Sequence, residues 1–123
     1  MSADGSALER FPRDYPVAKF IDIVGDAWTP IVLHQLANAP VRYGVLRRSL
    51  PGVSKKMLTQ TLRRLEKARL VIRTVIDTNP IGTLYRLTAE GRALLTALEP
   101  LCQWSQDHAD LLDTLRDNLS AET

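Results

Sequence analysis

The side chains with the clearest chemical potential lie between residues 54 and 68. When this stretch is drawn as a helix, at about 100° per residue, one side of it is apolar and carries Leu58, Leu62 and Leu65. The opposite side combines cations with amide and hydroxyl groups, which can bind phosphates and the edges of nucleic-acid bases. The side chains on that face are Lys56, Thr59, Gln60, Arg63 and Lys67.

The position of each polar side chain along this helix indicates whether it would contact a base or a phosphate. Arg63 has a forked guanidinium that matches guanine, and Gln60 has an amide that matches adenine. Near the start of a helix, backbone N–H groups attract anions. The side chains near the helix start that are predicted to bind phosphates are Ser54, Lys55, Lys56 and Thr59. The alternative interpretation is an ordinary amphipathic helix with solvated lysines.

Charge is strongly segregated along the chain. Residues 42–74 hold ten basic residues and one acidic residue, whereas residues 1–41 carry a net charge of −2 and residues 89–123 a net charge of −5. A basic middle between acidic flanks is typical of a polyanion-binding face, even though the total charge is only +2. Charge alone does not distinguish DNA from RNA or from a membrane surface.

Three helices are predicted before or around the basic stretch. Residues 16–24 show helical spacing of apolar side chains. A second helix is expected to begin at Thr29, whose hydroxyl would cap it, with Pro30 at the first helical position. A short third helix covers residues 43–50 and ends at a Pro-Gly turn, after which Ser54 caps the basic helix.

The periodicity changes after the basic helix. Residues 71–77 are rich in β-branched residues and nearly alternate in polarity, which predicts a strand; after a turn at residues 79–82, residues 83–87 are expected to form the returning strand. A long helix follows from about residue 88. The order of these elements is that of a winged helix-turn-helix, so the predicted fold is mainly α with a small β-hairpin.

The turn of the hairpin would form the tip of the wing. It offers Asn79, Thr83 and backbone groups to a neighbouring phosphate or minor groove. The turn contains no basic residue. A hairpin that only packs against the domain is therefore the alternative interpretation.

Apolar positions near both ends exceed what the core of a 13.8 kDa chain requires. An exposed apolar patch usually marks an interface, so we expect a two-fold homodimer. The predicted interface residues are Val17, Phe20, Ile21, Val24, Leu111, Leu112, Leu115 and Leu119.

The remaining aromatic and sulfur side chains are expected to be structural. Trp28 and Trp104 are predicted as core residues, and a ligand pocket that they would line with Phe20 is the alternative. Cys102 lies on the apolar side of the long helix and is predicted to be a buried thiol.

Several classes of protein are disfavoured. His34 and His108 lie far apart, with no cysteine or carboxylate at metal-ligand spacing, so no metal or other cofactor is expected. No phosphate loop or nucleophile with an evident base argues for an enzyme. No apolar run approaches the roughly 20 residues that cross a bilayer, residues 1–13 lack the order of a signal peptide, and one cysteine suits a reducing compartment. We therefore expect a cytoplasmic, nucleoid-associated protein without membrane partners.

Several short motifs occur in a fixed order between residues 15 and 104. The most specific are Ser54-Lys55-Lys56-x-Leu58-Thr59-Gln60 and Tyr85-x-Leu87-Thr88-x-x-Gly91; the others lie at residues 15–18, 24–29, 42–43, 50–53 and 62–66. Together they resemble the HxlR-type helix-turn-helix regulators of bacteria, a winged-helix group related to the MarR type.

The resemblance implies a homodimer that assembles through its terminal helices and binds a partly palindromic operator. Members commonly carry a cysteine just before the first Pro-Val motif, where this chain has Tyr15, so oxidant sensing by that route is not expected. Many members also carry an arginine in the wing turn, where this chain has Ile81-Gly82-Thr83. The resemblance assigns to the recognition helix Ser54, Lys55, Lys56, Thr59, Gln60 and Arg63.

These observations predict a sequence-specific binder of double-stranded DNA that regulates transcription, as a repressor rather than an activator. The expected organisation is a loose arm (1–14), a winged helix-turn-helix domain (15–104) and a dimerisation helix (105–123). The alternatives are a winged-helix module that docks an acidic protein, and a regulator governed mainly by a small-molecule effector. The predicted DNA-contacting residues are Arg42, Ser54, Lys55, Lys56, Thr59, Gln60, Arg63, Arg64, Lys67, Asn79 and Thr83.

Overall fold

The computed structural model describes residues 15–121, which form a mainly helical structure with a small antiparallel sheet. The predicted arm, residues 1–14, lies outside the described residues. The elements in chain order are α1 (Pro16–Val24), α2 (Trp28–Gln35), β1 (Val41–Arg42), α3 (Tyr43–Arg48), α4 (Lys55–Lys67), β2 (Val71–Ile76), β3 (Gly82–Leu87), α5 (Ala89–Asp107) and α6 (Ala109–Ala121).

The sheet has the strand order β1-β3-β2, and both pairings are antiparallel. β2 and β3 form the predicted hairpin, with Val71 opposite Leu87 and Ile76 opposite Gly82. β1 was not predicted, because a two-residue strand is too short to show alternation. It attaches the segment just before α3 to the hairpin, so that the wing and the helix-turn-helix share one sheet.

The core lies between α2, α4, the sheet and the beginning of α5. The predicted leucine stripe of α4 is confirmed, since Leu58, Leu62 and Leu65 are at most 1% exposed. They belong to one cluster with Val32 and Leu33 of α2. Burying a leucine side chain stabilises the fold by about 1.5–3 kcal/mol. The stripe therefore determines which side of α4 is left facing solvent.

The start of α2 differs from the sequence prediction. The helix begins at Trp28, and the capping group is the carboxylate of Asp26 rather than the Thr29 hydroxyl. One oxygen of Asp26 accepts hydrogen bonds from the backbone N–H groups of Trp28 and Thr29, each at 2.8 Å. The Thr29 hydroxyl donates to the same oxygen at 3.1 Å and is buried. A carboxylate can accept all three bonds, which accounts for its place ahead of the helix.

The start of α4 is as predicted. Ser54 Oγ accepts a hydrogen bond from the backbone N–H of Met57 at 3.0 Å and caps the helix. In the preceding turn, Gly52 has a φ of 91°, a left-handed conformation that glycine adopts readily. The cap and the turn together set the direction in which α4 leaves α3.

Thr88 connects β3 to α5. Its hydroxyl donates to the carbonyl of Arg69 at 2.7 Å and accepts from the backbone N–H of Gly91 at 2.9 Å. A Cβ atom at Gly91 would collide with the carbonyl oxygen of Leu70. The first turn of α5 can therefore approach the loop after α4 this closely only with glycine at position 91.

The long C-terminal helix is interrupted at His108, between α5 and α6. Leu95 is the last buried residue of α5, and Leu101 is already 58% exposed. Two expectations are wrong in this outer half of α5: Trp104 is 45% exposed instead of lying in the core, and Cys102 is exposed instead of buried. Both residues lie in the part of α5 that extends beyond the core.

Candidate nucleic-acid interface

Helices α3 and α4, with the turn between them, form a helix-turn-helix. Leu46 of α3 is fully buried in the shared core. The hydroxyls of Tyr43, at the start of α3, and Thr59, on α4, lie 3.3 Å apart and form a hydrogen bond. α3 therefore positions α4 through both apolar packing and a polar contact.

The outward face of α4 is a cationic surface. The exposed side chains include Lys55, Lys56, Gln60, Arg63 and Lys67, while Thr59 is half-buried. Within residues 15–121, the four cations of this group make no ion pair. The helix start also presents backbone N–H groups, which favour anions. This face has the charge and the hydrogen-bonding groups to bind phosphates and base edges.

Arg64 is placed differently from the other predicted contacts. Its guanidinium donates to the carboxylate of Asp26 in an ion pair, and its side chain is 41% exposed. Partial burial alone would raise the pKa of Asp26, but hydrogen bonds from Thr29, Arg64 and Trp28 outweigh it and hold the pKa below its ordinary value. The guanidinium of Arg64 therefore connects α4 to the loop before α2, and its contact with DNA stays a prediction.

The wing turn receives a cation from outside the hairpin. Arg42, on β1, donates a hydrogen bond from its guanidinium to the carbonyl of Pro80 at 3.2 Å. The same guanidinium nitrogen lies 3.2 Å from the position that a Cβ at Gly82 would occupy. Asn79 is exposed and Thr83 is half-buried beside it. The fold thus brings a basic group to a turn whose own sequence has none.

A cleft of about 450 Å³ lies between α4 and the sheet. Arg73 of β2 lines it and is absent from the residues predicted from sequence. The sequence indicated Arg73 only as one of the basic residues of segment 42–74, because a strand pattern does not show which face of the hairpin approaches α4. The residues that line the cleft are Tyr43, Thr59, Arg63, Glu66, Arg73, Thr83 and Tyr85.

Most of the predicted interface residues that the structure describes are exposed in the single chain. Val17 and Ile21 of α1 are each 55% exposed, whereas Phe20 is half-buried against the core. The side chain of Val24 is outside the described part of the structure. No residue of α6 is buried, and its exposed leucines are Leu111, Leu112, Leu115 and Leu119. Apolar faces of this kind are typical of surfaces that a partner covers.

The three aromatic residues proposed as an alternative ligand pocket have different surroundings. Phe20 and Trp28 pack, half-buried, against the hydrophobic core. The ring of Trp104 instead stacks on the imidazole of His108, with ring centroids 4.4 Å apart. Trp104 therefore lies near the outer end of α5 and does not share the core environment of the other two.

Within residues 15–121, no three His, Cys, Asp or Glu side chains are grouped so that they could hold a metal ion. His108 makes a local contact instead, with its Nδ1 2.8 Å from the carbonyl oxygen of Trp104. None of the described helices combines the length and apolar character needed to cross a bilayer.

A helix-turn-helix with an exposed cationic second helix, followed by a β-hairpin, defines a winged-helix DNA-binding protein. A family model, HxlR-like helix-turn-helix, matches residues 23–113 of the chain. The chain belongs to this family and is a transcriptional regulator with a helix-turn-helix DNA-binding domain.

Individual relatives agree with this assignment. YkvN of Bacillus subtilis (strain 168), an uncharacterized helix-turn-helix-type transcriptional regulator, is 36% identical over 103 residues, which span 84% of this chain and 86% of YkvN. The structure of the redox regulator HypR in its reduced form is similar with a TM-score of 0.73 and 30% identity, covering 80% of this chain and 98% of HypR. The reduced form of the transcriptional regulator YodB from B. subtilis has a TM-score of 0.59 and 31% identity, covering 77% and 90%.

Proposed function

We propose that the protein is a repressor that binds a palindromic operator as a homodimer, with α4 in the major groove. The observation that carries the proposal is the outward face of α4. Its lysine and arginine side chains have no ion-pair partner within residues 15–121, and they lie on the same face as Thr59 and Gln60. In this proposal Arg63 and Gln60 read bases, and Lys55, Lys56 and Ser54 bind phosphates. The flanking DNA backbone is contacted by Lys67, by Arg42 of β1 and by the wing residues Asn79 and Thr83.

The homodimer is supported by the exposed apolar faces of α1 and α6. A two-fold axis through these helices would present two copies of α4 to one side of the duplex. Two such helices fit half-sites about one DNA turn, roughly 34 Å, apart. In this arrangement residues 15–104 form the DNA-binding unit and residues 105–123 contribute to dimerisation. A dimer bound across a promoter excludes other proteins from the same grooves, which favours repression.

The test is fluorescence anisotropy with a duplex from the region upstream of the protein's own gene. We expect the complex to persist in an excess of random-sequence DNA. Footprinting on the same duplex should show a protected region with two-fold symmetry. Binding that random DNA removes completely would contradict sequence-specific recognition. Capture of an acidic protein without any affinity for duplex DNA would favour the interaction module instead.

A further inference from the structure

The cleft between α4 and the sheet lies where the two elements diverge. Val71 and Leu87, paired at one end of the hairpin, are buried in the core. Two residues further along, Arg73 is paired with Tyr85. Directly paired residues share a face of a sheet, and so do residues two apart. Arg73 is therefore on the core-facing side of the hairpin, at the point where that side opens to solvent.

α4 forms the other wall of the cleft. Thr59, Arg63 and Glu66 are spaced by four and three residues, so they occupy one side of the helix. At one end, the hydrogen bond between Tyr43 and Thr59 joins α3 to α4. The floor is Tyr85, which is only 7% exposed. The cleft thus has a buried floor and two walls from separate elements.

The chemistry of the lining favours an anion. The charged groups in the lining are two guanidinium groups, on Arg63 and Arg73, and one carboxylate, on Glu66. Within residues 15–121, the side chain of neither arginine makes an ion pair or a hydrogen bond. Threonine and tyrosine hydroxyls supply further donors. Planar guanidinium groups with neighbouring hydroxyls match the oxygens of a phosphate.

The cleft is continuous with the proposed reading face of α4. Arg63 also lines the outer groove along the helix, together with Gln60 and Lys67. A DNA strand that leaves α4 toward the wing must cross the gap between them. We propose that the cleft binds a backbone phosphate of this strand, with Arg73 as the phosphate-binding side chain. This inference rests on the proposed function and adds β2 to the DNA-binding surface.

The experiment measures the salt dependence of binding to a random-sequence duplex, so that no operator is required. Arg73→Gln is compared with Arg86→Gln. This matched control removes the same charge from the adjacent strand, on the opposite face of the hairpin. Losing one phosphate contact lowers the slope of log K against log salt by about 0.9, or about 1.8 for two protomers. We expect this loss for Arg73→Gln, no change for Arg86→Gln, and recovery of the slope in Arg73→Lys. Thermal unfolding of each variant identifies any loss of folding.

Three outcomes would overturn the inference. Equal slopes for Arg73→Gln and the wild type, with DNA binding intact, would make the inference wrong while the proposed function stands. Equal losses for Arg73→Gln and Arg86→Gln would mean that only total charge matters. If calorimetry showed that inorganic phosphate binds the wild type but not Arg73→Gln, and the DNA slope were unchanged, the cleft would be a site for free anions. A wild type that bound no duplex at any salt would contradict the proposed function itself.

Discussion

The guanidinium of Arg64 on α4 is bound to the carboxylate of Asp26, which lies 38 positions earlier in the loop between α1 and α2. The same carboxylate caps α2 through the backbone N–H groups of Trp28 and Thr29. The side chain of Asp26 therefore connects α2 to α4, the proposed recognition helix. A change at Asp26 is expected to affect both stability and the placement of α4.

The first prediction concerns this carboxylate. Asp26→Ala removes a helix cap and the partner of Arg64, and we expect the free energy of unfolding at pH 7 to fall by about 1–2 kcal/mol. Because folding lowers the pKa of Asp26, its contribution is complete above the ordinary carboxyl pKa and is lost as the pH falls through the folded value. The difference between variant and wild type should therefore shrink below about pH 4.

Denaturant unfolding at several pH values measures this difference. Asp22→Ala is the control, since Asp22 is exposed on α1 and its side chain makes no hydrogen bond or ion pair within residues 15–121. A destabilisation by Asp26→Ala that is the same at pH 3 and pH 7 would show that the charge of Asp26 is not what stabilises the fold.

The second prediction concerns the packing of α5. Gly91→Ala places a methyl group against the Leu70 carbonyl, so we expect a loss of about 1–3 kcal/mol in the free energy of unfolding. Gly44→Ala is the matched control, because its nearest neighbour would be the Arg48 guanidinium at an ordinary 3.5 Å. At that position alanine should be neutral or stabilising by up to about 1 kcal/mol, as its helix propensity exceeds that of glycine. Equal melting temperatures for the two variants would contradict the close approach at Gly91.

The third prediction concerns assembly. Leu115 is 47% exposed on α6, so Leu115→Asp should leave the protomer core intact while it places a charge in the proposed interface. Light scattering at micromolar concentration should give twice the 13.8 kDa chain mass for the wild type and a lower mass for the variant. Ile81→Asp, at a 78% exposed position on the wing, should remain dimeric. A monomeric wild type would rule out the proposed dimer.

The fourth prediction separates base reading from phosphate binding on α4. Arg63→Ala should lower the affinity for the operator by about 1–3 kcal/mol, or 5- to 150-fold, with little effect on a scrambled duplex. Lys55→Ala should weaken both complexes similarly and flatten the salt dependence by about 0.9 per contact. Salt titrations on an operator isolated by selection from random duplexes provide the comparison. Equal losses for Arg63→Ala on both duplexes would make Arg63 a phosphate ligand.

The fifth prediction concerns the thiol. Cys102 is exposed on α5, so Cys102→Ser should change the free energy of unfolding by less than about 0.5 kcal/mol. No lysine or arginine lies within one helical turn of it to stabilise a thiolate. We therefore expect peroxide to leave DNA affinity unchanged in both the wild type and the variant. Loss of binding on oxidation in the wild type alone would show that Cys102 is a redox switch.

The sequence by itself was sufficient for the order of the helices around the basic stretch, the cap at Ser54 and the buried stripe of α4. Each of these depends on residues three or four apart, and such neighbours are determined by helical geometry alone. The hairpin was equally visible, because alternation with a period of two is a local property of a strand.

Only the tertiary structure decided which polar groups meet. Arg64 and Arg63 are adjacent and equally basic, yet Arg64 is bound to Asp26, whereas Arg63 has no ion pair within residues 15–121 and lines the cleft beside the sheet. Arg42 reaches the wing turn only because β1 pairs with β3. The apolar side of α5 was visible in the sequence, but its periodicity could not show that the side continues past the core and leaves Trp104 exposed. Periodicity identifies a face of a helix; what covers that face depends on contacts with residues far along the chain, or in a second copy of it.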